Sequence, residues 1–294
     1  MKRVDYRFQR TIAAPAEVRG IGFLTGQDVR LRFRPAPPCT GVVFVRTDLG
    51  PQARLPATVE QITGTNRRTT LGRPPLTIGL VEHVLATLNG LRVDNCIIEL
   101  DAPEPPGLDG SARAFVTALE AVGCVVQPEL RAIWTVERPV VVGTGDATLA
   151  LHPGIGPGLR ISYLLDYGLT SPIGRQTFTA DLDPGVFASQ IAPCRTFVLE
   201  AEAAMLRQQG LGRRTRVSDL LVFGPRGPID NVLRFADEPA RHKVLDILGD
   251  LSLIGHDLCG HVVAYRSGHP LNAELARTLT QRIARGLPRR RIAA

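Results

Sequence analysis

Between positions 29 and 33, Val29, Leu31 and Phe33 alternate with Arg30 and Arg32. A period of two predicts a half-buried strand. Val42, Val43, Phe44 and Val45 follow a Pro-rich turn and predict a second strand. The stretch 61–79 reads as turn-rich, with Thr63-Gly64-Thr65-Asn66 and Pro74-Pro75. From 81 to 89 the apolar spacing becomes helical, with Gly90 placed as a left-handed C-terminal cap. A strand is expected over Cys96–Leu100, then a helix over 111–122, capped by Ser111 and ended by Gly123.

The pattern restarts around Gln127-Pro128-Glu129. Strands are expected over 134–142, 148–151 and Leu159–Leu165, and 189–209 is mixed, with a helix at its end. A helix over 237–254 stops before Gly255, a strand covers 261–265, and a last helix covers 272–285. Each half thus runs strands, helix, glycine, strand, helix. The helices that stop at Gly90 and Gly255 hold equivalent places, and each carries a histidine near its start, His83 and His242. The expectation is a duplicated α+β unit, with domains over 1–128 and 129–294 and the chemistry at their seam.

Composition narrows the class. The chain of 294 residues is 44% hydrophobic and 21% charged, the balance of a globular protein with a sizeable core. No apolar run reaches the roughly 20 residues of a membrane span, and the N-terminus lacks a signal-peptide core. Cys39, Cys96, Cys124, Cys194 and Cys259 are scattered and form no CxxC pair, so a reduced, cytoplasmic protein is expected. The net charge of +7 comes almost wholly from arginine, since only Lys2 and Lys243 are lysines. Aromatic residues do not interleave with the basic ones, so no nucleic-acid partner is expected. The basic tail around Arg289-Arg290-Arg291 suggests a solvated end, or weak association with a membrane surface.

Within the helix over 237–254, His242, Asp246 and Asp250 share one face. Val244, Leu245, Ile247, Leu248 and Leu251 occupy most of the rest. A buried carboxylate needs a cationic partner, and a divalent metal on His242 and Asp246 would provide it. The bland reading of the same i, i+4 pair is a helix-surface hydrogen bond. His83 is the best third ligand, because two histidines and one carboxylate leave a position open for water. Glu82 sits about 100° around the helix from it and could take a proton from that water. His269 lies in a turn beyond a strand, either as a loop histidine or as an imidazole oriented by Asp250. His152, His256 and His261 read as structural.

These residues belong to a wider set of motifs: Val81-Glu82-His83, Asp94-Asn95, Ala102-Pro103-Glu104, Asp109-Gly110-Ser111-Ala112, Arg195-Thr196-Phe197, Arg234-Phe235 with Asp237 and Glu238, Arg241-His242-Lys243 with Asp246, Gly249 and Asp250 behind it, and Ser267-Gly268-His269 with Leu271 and Asn272. Together they resemble the UDP-3-O-acyl-N-acetylglucosamine deacetylases, zinc hydrolases of lipid A biosynthesis. The resemblance covers nearly the whole chain. It implies two similar β/α domains forming a two-layer sandwich, with helices packed between two sheets. It implies zinc on His83, His242 and Asp246, a donor set that iron(II) also suits. It further implies Glu82 as general base, His269 as cationic partner of the leaving amine and Asp250 as its orienting residue. Thr196 would stabilise the oxyanion, and Lys243 and Phe197 would bind a UDP-sugar. No obligate protein partner is implied.

Three departures from the family pattern stand out. Leu24 takes a place where the family usually has histidine, and Ile78-Gly79-Leu80 stands where it tends to have Ser or Thr. Around the acyl passage, Gly210-Leu211-Gly212-Arg213-Arg214-Thr215-Arg216 replaces a glycine-rich run. Arginines should not line an apolar tunnel. Either they face solvent, or the acyl chain is bound differently or is absent. The rival readings are therefore a paralogous zinc amidase with altered acyl recognition, and a non-catalytic, metal-stabilised binding protein.

Overall fold

In a computed structural model, the structure describes residues 1–286 except Ile155 and Pro157. The triple arginine at 289–291 lies outside the described residues.

Two five-stranded mixed sheets share one topology. In the first, Ala16–Ile21, Asp28–Pro35, Cys96–Leu100, Val42–Arg46 and Arg54–Pro56 lie side by side in that order. In the second the order is Val140–Thr144, Ala147–His152, Gly260–Tyr265, Leu159–Leu165 and Gln176–Asp181. The central strand of each pairs antiparallel on one side and parallel on the other: Cys96–Leu100 with Val42–Arg46, and Gly260–Tyr265 with Leu159–Leu165. The alternation of Val29, Leu31 and Phe33, all buried, is that of a strand with one face on the core.

The helices fill the space between the sheets. Helix α1 (Glu82–Gly90) precedes the central strand of the first sheet and α2 (Arg113–Val122) follows it. A short turn, α3 (Pro184–Val186), and α4 (Glu200–Gln208) belong to the connection leading to α5 (Glu238–Ser252). Helix α5 precedes the central strand of the second sheet, and α6 (His269–Gly286) follows it. α5 and α6 cover the second sheet, α2 packs on the first, and α1 lies along α5. One hydrophobic cluster joins all of them, including Phe33, Leu85, Phe115, Leu245, Ile247 and Val262.

Several local expectations are corrected. Gly90 is not a left-handed cap: it ends α1, and a Cβ there would lie 2.2 Å from the Phe187 ring. Glycine serves here for close approach. Ala112, not Ser111, occupies the N-cap of α2, although the Ser111 hydroxyl accepts from the Arg113 N–H at 3.3 Å. The turn-rich stretch 61–79 contains a three-stranded sheet of Ile62–Gly64, Thr70–Arg73 and Leu76–Ile78. The expected strand over 134–142 is two strands, Cys124–Thr135 and Val140–Thr144.

Lys2–Ile12 is also a strand. It pairs antiparallel with Cys124–Thr135, and position 128/129 falls inside the latter. Arg7 and Arg131 on this ribbon both engage Asp257, beyond α5, and Asp94, beyond α1. That cluster ties the ribbon to both sheet units.

Candidate active site

The site forms where α1 and α5 cross. A Cβ on Gly249 would lie 2.2 Å from the Glu82 carbonyl oxygen, so the backbones meet there. That approach sets Glu82 and His83, at the start of α1, against His242, Asp246 and Asp250 on α5.

His242 Nε2 lies 3.3 Å, and His83 Nε2 4.0 Å, from Asp246 Oδ1. The two imidazole rings are 5.0 Å apart and nearly perpendicular. One donor atom from each of His83, His242 and Asp246 lies within 4.8 Å of the others, a group that could hold a metal ion. Its chemistry fits: His242 has its Nδ1 3.0 Å from the Cys194 carbonyl, which fixes Nδ1 as the protonated nitrogen and leaves Nε2 free to ligate. Burial, and then the neighbouring His242, push His83 down to about 3, so its ring is neutral as a ligand must be. Burial also lowers His242. Burial alone would raise Asp246, but Lys243, His242 and His269 hold it well below the usual carboxylate range.

Glu82 is buried beside this group. Burial lifts its carboxyl to about 7, against the lowering pull of His269. His269 opens α6 and points Nδ1 at Asp250 Oδ2, 2.8 Å away. Burial lowers its pKa, but the charge and hydrogen bond of Asp250 outweigh that and raise it to about 9. His269 Nε2 lies 3.9 Å from Asp246 Oδ2. The site thus holds, beside the donor group, a carboxyl raised by burial and an imidazole raised by Asp250. Asp250 lies outside the donor group and bonds His269 and Thr69 instead.

Thr196 and Phe197 enter from the connection that leads from the strand Gln176–Asp181 to α5. The Thr196 N–H donates to the Gly110 carbonyl at 2.8 Å, and its carbonyl accepts from Leu221. Beneath it, the buried Arg195 guanidinium binds Glu238 through Nε and Nη2, Asn231 through Nη1 and the Val232 carbonyl. Phe197 packs edge-on to His242 with ring centroids 6.2 Å apart. Lys243 Nζ donates to Asp246 Oδ2 at 2.6 Å. Burial would lower the ammonium, but Asp246 more than offsets this and raises it.

Glu82, His83, Thr196, Phe197, His242, Lys243, Asp246 and His269 all line one cavity of about 880 Å³. Its apolar wall includes Phe23, Leu24, Leu206, Leu211, Val217 and Leu220. Arg213 and Arg214 are exposed, and Arg214 is bound to Asp28 and the Gly26 carbonyl. Arg216 is exposed as well, but it lines the cavity. Arg213 and Arg214 therefore face solvent, while Arg216 shares the wall with Leu211, Val217 and Leu220. Leu24 takes its place through its main chain, whose N–H donates to Glu104 Oε1 at 3.0 Å.

Thr69 is the site residue that sequence reasoning missed. Its main-chain N–H donates to Glu82 Oε2 at 3.1 Å, and its hydroxyl to Asp250 Oδ1 at 2.5 Å. No periodicity or motif marks a threonine in a turn-rich run. Asn272, which closes the motif begun by Ser267-Gly268-His269, donates to Asp250 Oδ2 at 2.8 Å.

Comparison with known proteins agrees with this geometry. The sequence signature of a family described as UDP-3-O-acyl N-acetylglycosamine deacetylase matches residues 9–281. Among similar proteins is the UDP-3-O-acyl-N-acetylglucosamine deacetylase of Myxococcus xanthus, 38% identical over 92% of this chain and 85% of that one. The protein of the same name in Thermosynechococcus vestitus is 39% identical over 93% of this chain and 94% of its own. That of Chlamydia felis is 37% identical over 94% and 98%. The chain belongs to the UDP-3-O-acyl N-acetylglycosamine deacetylase family.

Proposed function

We propose that the protein hydrolyses the N-acetyl group of UDP-3-O-acyl-N-acetylglucosamine, releasing acetate, as a zinc enzyme of lipid A biosynthesis. The observation that carries this reading is the convergence of His83, His242 and Asp246 with Glu82 and His269 in one cavity with an apolar wall. His83, His242 and Asp246 would hold the zinc ion. When bound, that ion would acidify a water molecule and polarise the amide oxygen.

The chain's own groups do the rest. Glu82 Oε2 is held by the Thr69 N–H, which leaves Oε1 to take a proton from the attacking water. The Thr196 hydroxyl donates to the oxygen that gains charge as the amide carbon becomes tetrahedral. His269, kept cationic by Asp250, gives its Nε2 proton to the departing nitrogen. Lys243 spends one N–H on Asp246 and keeps two for the anionic end of a sugar nucleotide. Phe197 excludes water from the His242 side of the site. Leu206, Leu211, Val217 and Leu220 offer the acyl chain a dry surface.

The reading takes residues 1–128 and 129–294 as the two duplicated units, supported by their matching strand orders. It places the protein in a reducing, cytoplasmic setting, in keeping with an exposed free cysteine at Cys39. No helix among the described residues is long and apolar enough to cross a membrane.

Comparing acetate release from acylated and non-acylated UDP-N-acetylglucosamine tests the reading. Strong preference for the acylated sugar nucleotide is expected, because Arg213 and Arg214 face solvent and Leu206, Leu211, Val217 and Leu220 still line the cavity. Equal rates on both would point to the paralogous amidase instead.

A further inference from the structure

We propose that Thr69 is a positioning residue for the hydrolysis, locking the Glu82 carboxylate and the Asp250–His269 pair into one frame. The role rests on the deacetylase reading above, but its geometry does not. Thr69 is fully buried and does not line the cavity. It lies just ahead of the strand Thr70–Arg73, in the first half of the chain. Its hydroxyl crosses to Asp250 on α5 in the second half.

A threonine hydroxyl has one hydrogen. A carboxylate only accepts, so that hydrogen goes to Asp250 Oδ1, 2.5 Å away. Asp250 Oδ2 takes the His269 Nδ1–H and the Asn272 Nδ2–H, both at 2.8 Å. Among the described residues Oδ1 receives no other side-chain or main-chain donor. With Thr69 in place, Asp250 cannot rotate about its carboxyl axis without abandoning a buried bond. The plane of Asp250 sets the plane of the His269 ring. The main-chain N–H of the same residue donates to Glu82 Oε2 at 3.1 Å. The base and the cationic imidazole are therefore registered to each other through one residue, across the seam between the two halves.

The test compares zinc-loaded wild type with Thr69→Val, Thr69→Ala and Thr69→Ser on the acylated sugar nucleotide. Thr69→Val keeps the shape and removes the hydroxyl. Loss of a buried bond to a charged group is expected to lower kcat about 10- to 100-fold. KM should stay within about 2-fold, because Thr69 does not line the cavity. Thr69→Ser restores the donor and should recover most of the activity. If Thr69→Val fails to fold, serine against alanine decides, with alanine expected to be about tenfold slower. Wild-type kcat in Thr69→Val, or equal impairment in Thr69→Ser and Thr69→Ala, overturns the proposal.

A readout that needs no turnover separates this from the deacetylase reading. In wild type the His269 Nδ1 proton, held by Asp250, should give a downfield NMR signal. Thr69→Val should move it upfield or broaden it. An unchanged signal contradicts the positioning role even if the substrate assignment is wrong, and a silent wild-type enzyme sinks the deacetylase reading alone.

Discussion

At the scale of single residues, the site places a carboxyl raised to about 7 beside an imidazole raised to about 9. Hydrolysis in the proposed sense needs Glu82 ionised and His269 protonated. The rate should therefore rise with pH as Glu82 loses its proton and fall as His269 loses its own. A divalent ion beside them favours the carboxylate and disfavours the imidazolium, so both limbs shift downward. A bell-shaped kcat/KM profile is expected, with its acid limb at or below about 7 and its alkaline limb at or below about 9. A flat profile between pH 5 and pH 10 would contradict these roles. Glu82→Gln keeps the size of the side chain but removes the proton acceptor, and should lower kcat by about 10²- to 10⁴-fold with metal content unchanged.

At the scale of elements, the crossing of α1 and α5 does the assembly. Gly249 permits it, since any Cβ would strike the Glu82 carbonyl carbon at 2.8 Å and its oxygen at 2.2 Å. Gly249→Ala must push the helices apart, which should cost about 1–3 kcal/mol in denaturant unfolding and weaken metal binding. Unchanged stability together with unchanged metal affinity would show that the crossing is more tolerant than the packing implies. The helices were legible because their signals are periodic. His242 and Asp246 sit one turn apart on a face the apolar residues leave free, and His83 occupies the matching place in the other half. The ribbon strand Lys2–Ile12 carries a period-two signal, with Val4, Tyr6 and Phe8 alternating with Arg3, Asp5 and Arg7, but that apolar face is exposed in the structure rather than set on the core. Gly90 was misread because a glycine that ends a helix and one that admits a neighbouring ring look the same in sequence. Thr69 was hidden for a related reason: its role depends on partners 13 and 181 positions away.

At the scale of the whole molecule, two copies of one sheet-and-helix plan each contribute half a site. The first supplies Glu82, His83 and Thr69, and the second supplies His242, Asp246, Asp250 and His269. Such a site exists only when the halves are docked. The half-buried ion cluster of Arg7, Arg131, Asp94 and Asp257 clasps them at the ribbon, and the continuous core joins them behind the helices. The central claim is that this docked arrangement works as a metal-dependent deacetylase. The most direct test is acetate release from UDP-3-O-acyl-N-acetylglucosamine by protein stripped with a chelator and then titrated with zinc. Activity should vanish on stripping and return in proportion to zinc, reaching its maximum at one ion per chain. Full activity in the stripped protein, or no acetate release at any zinc loading, would contradict it.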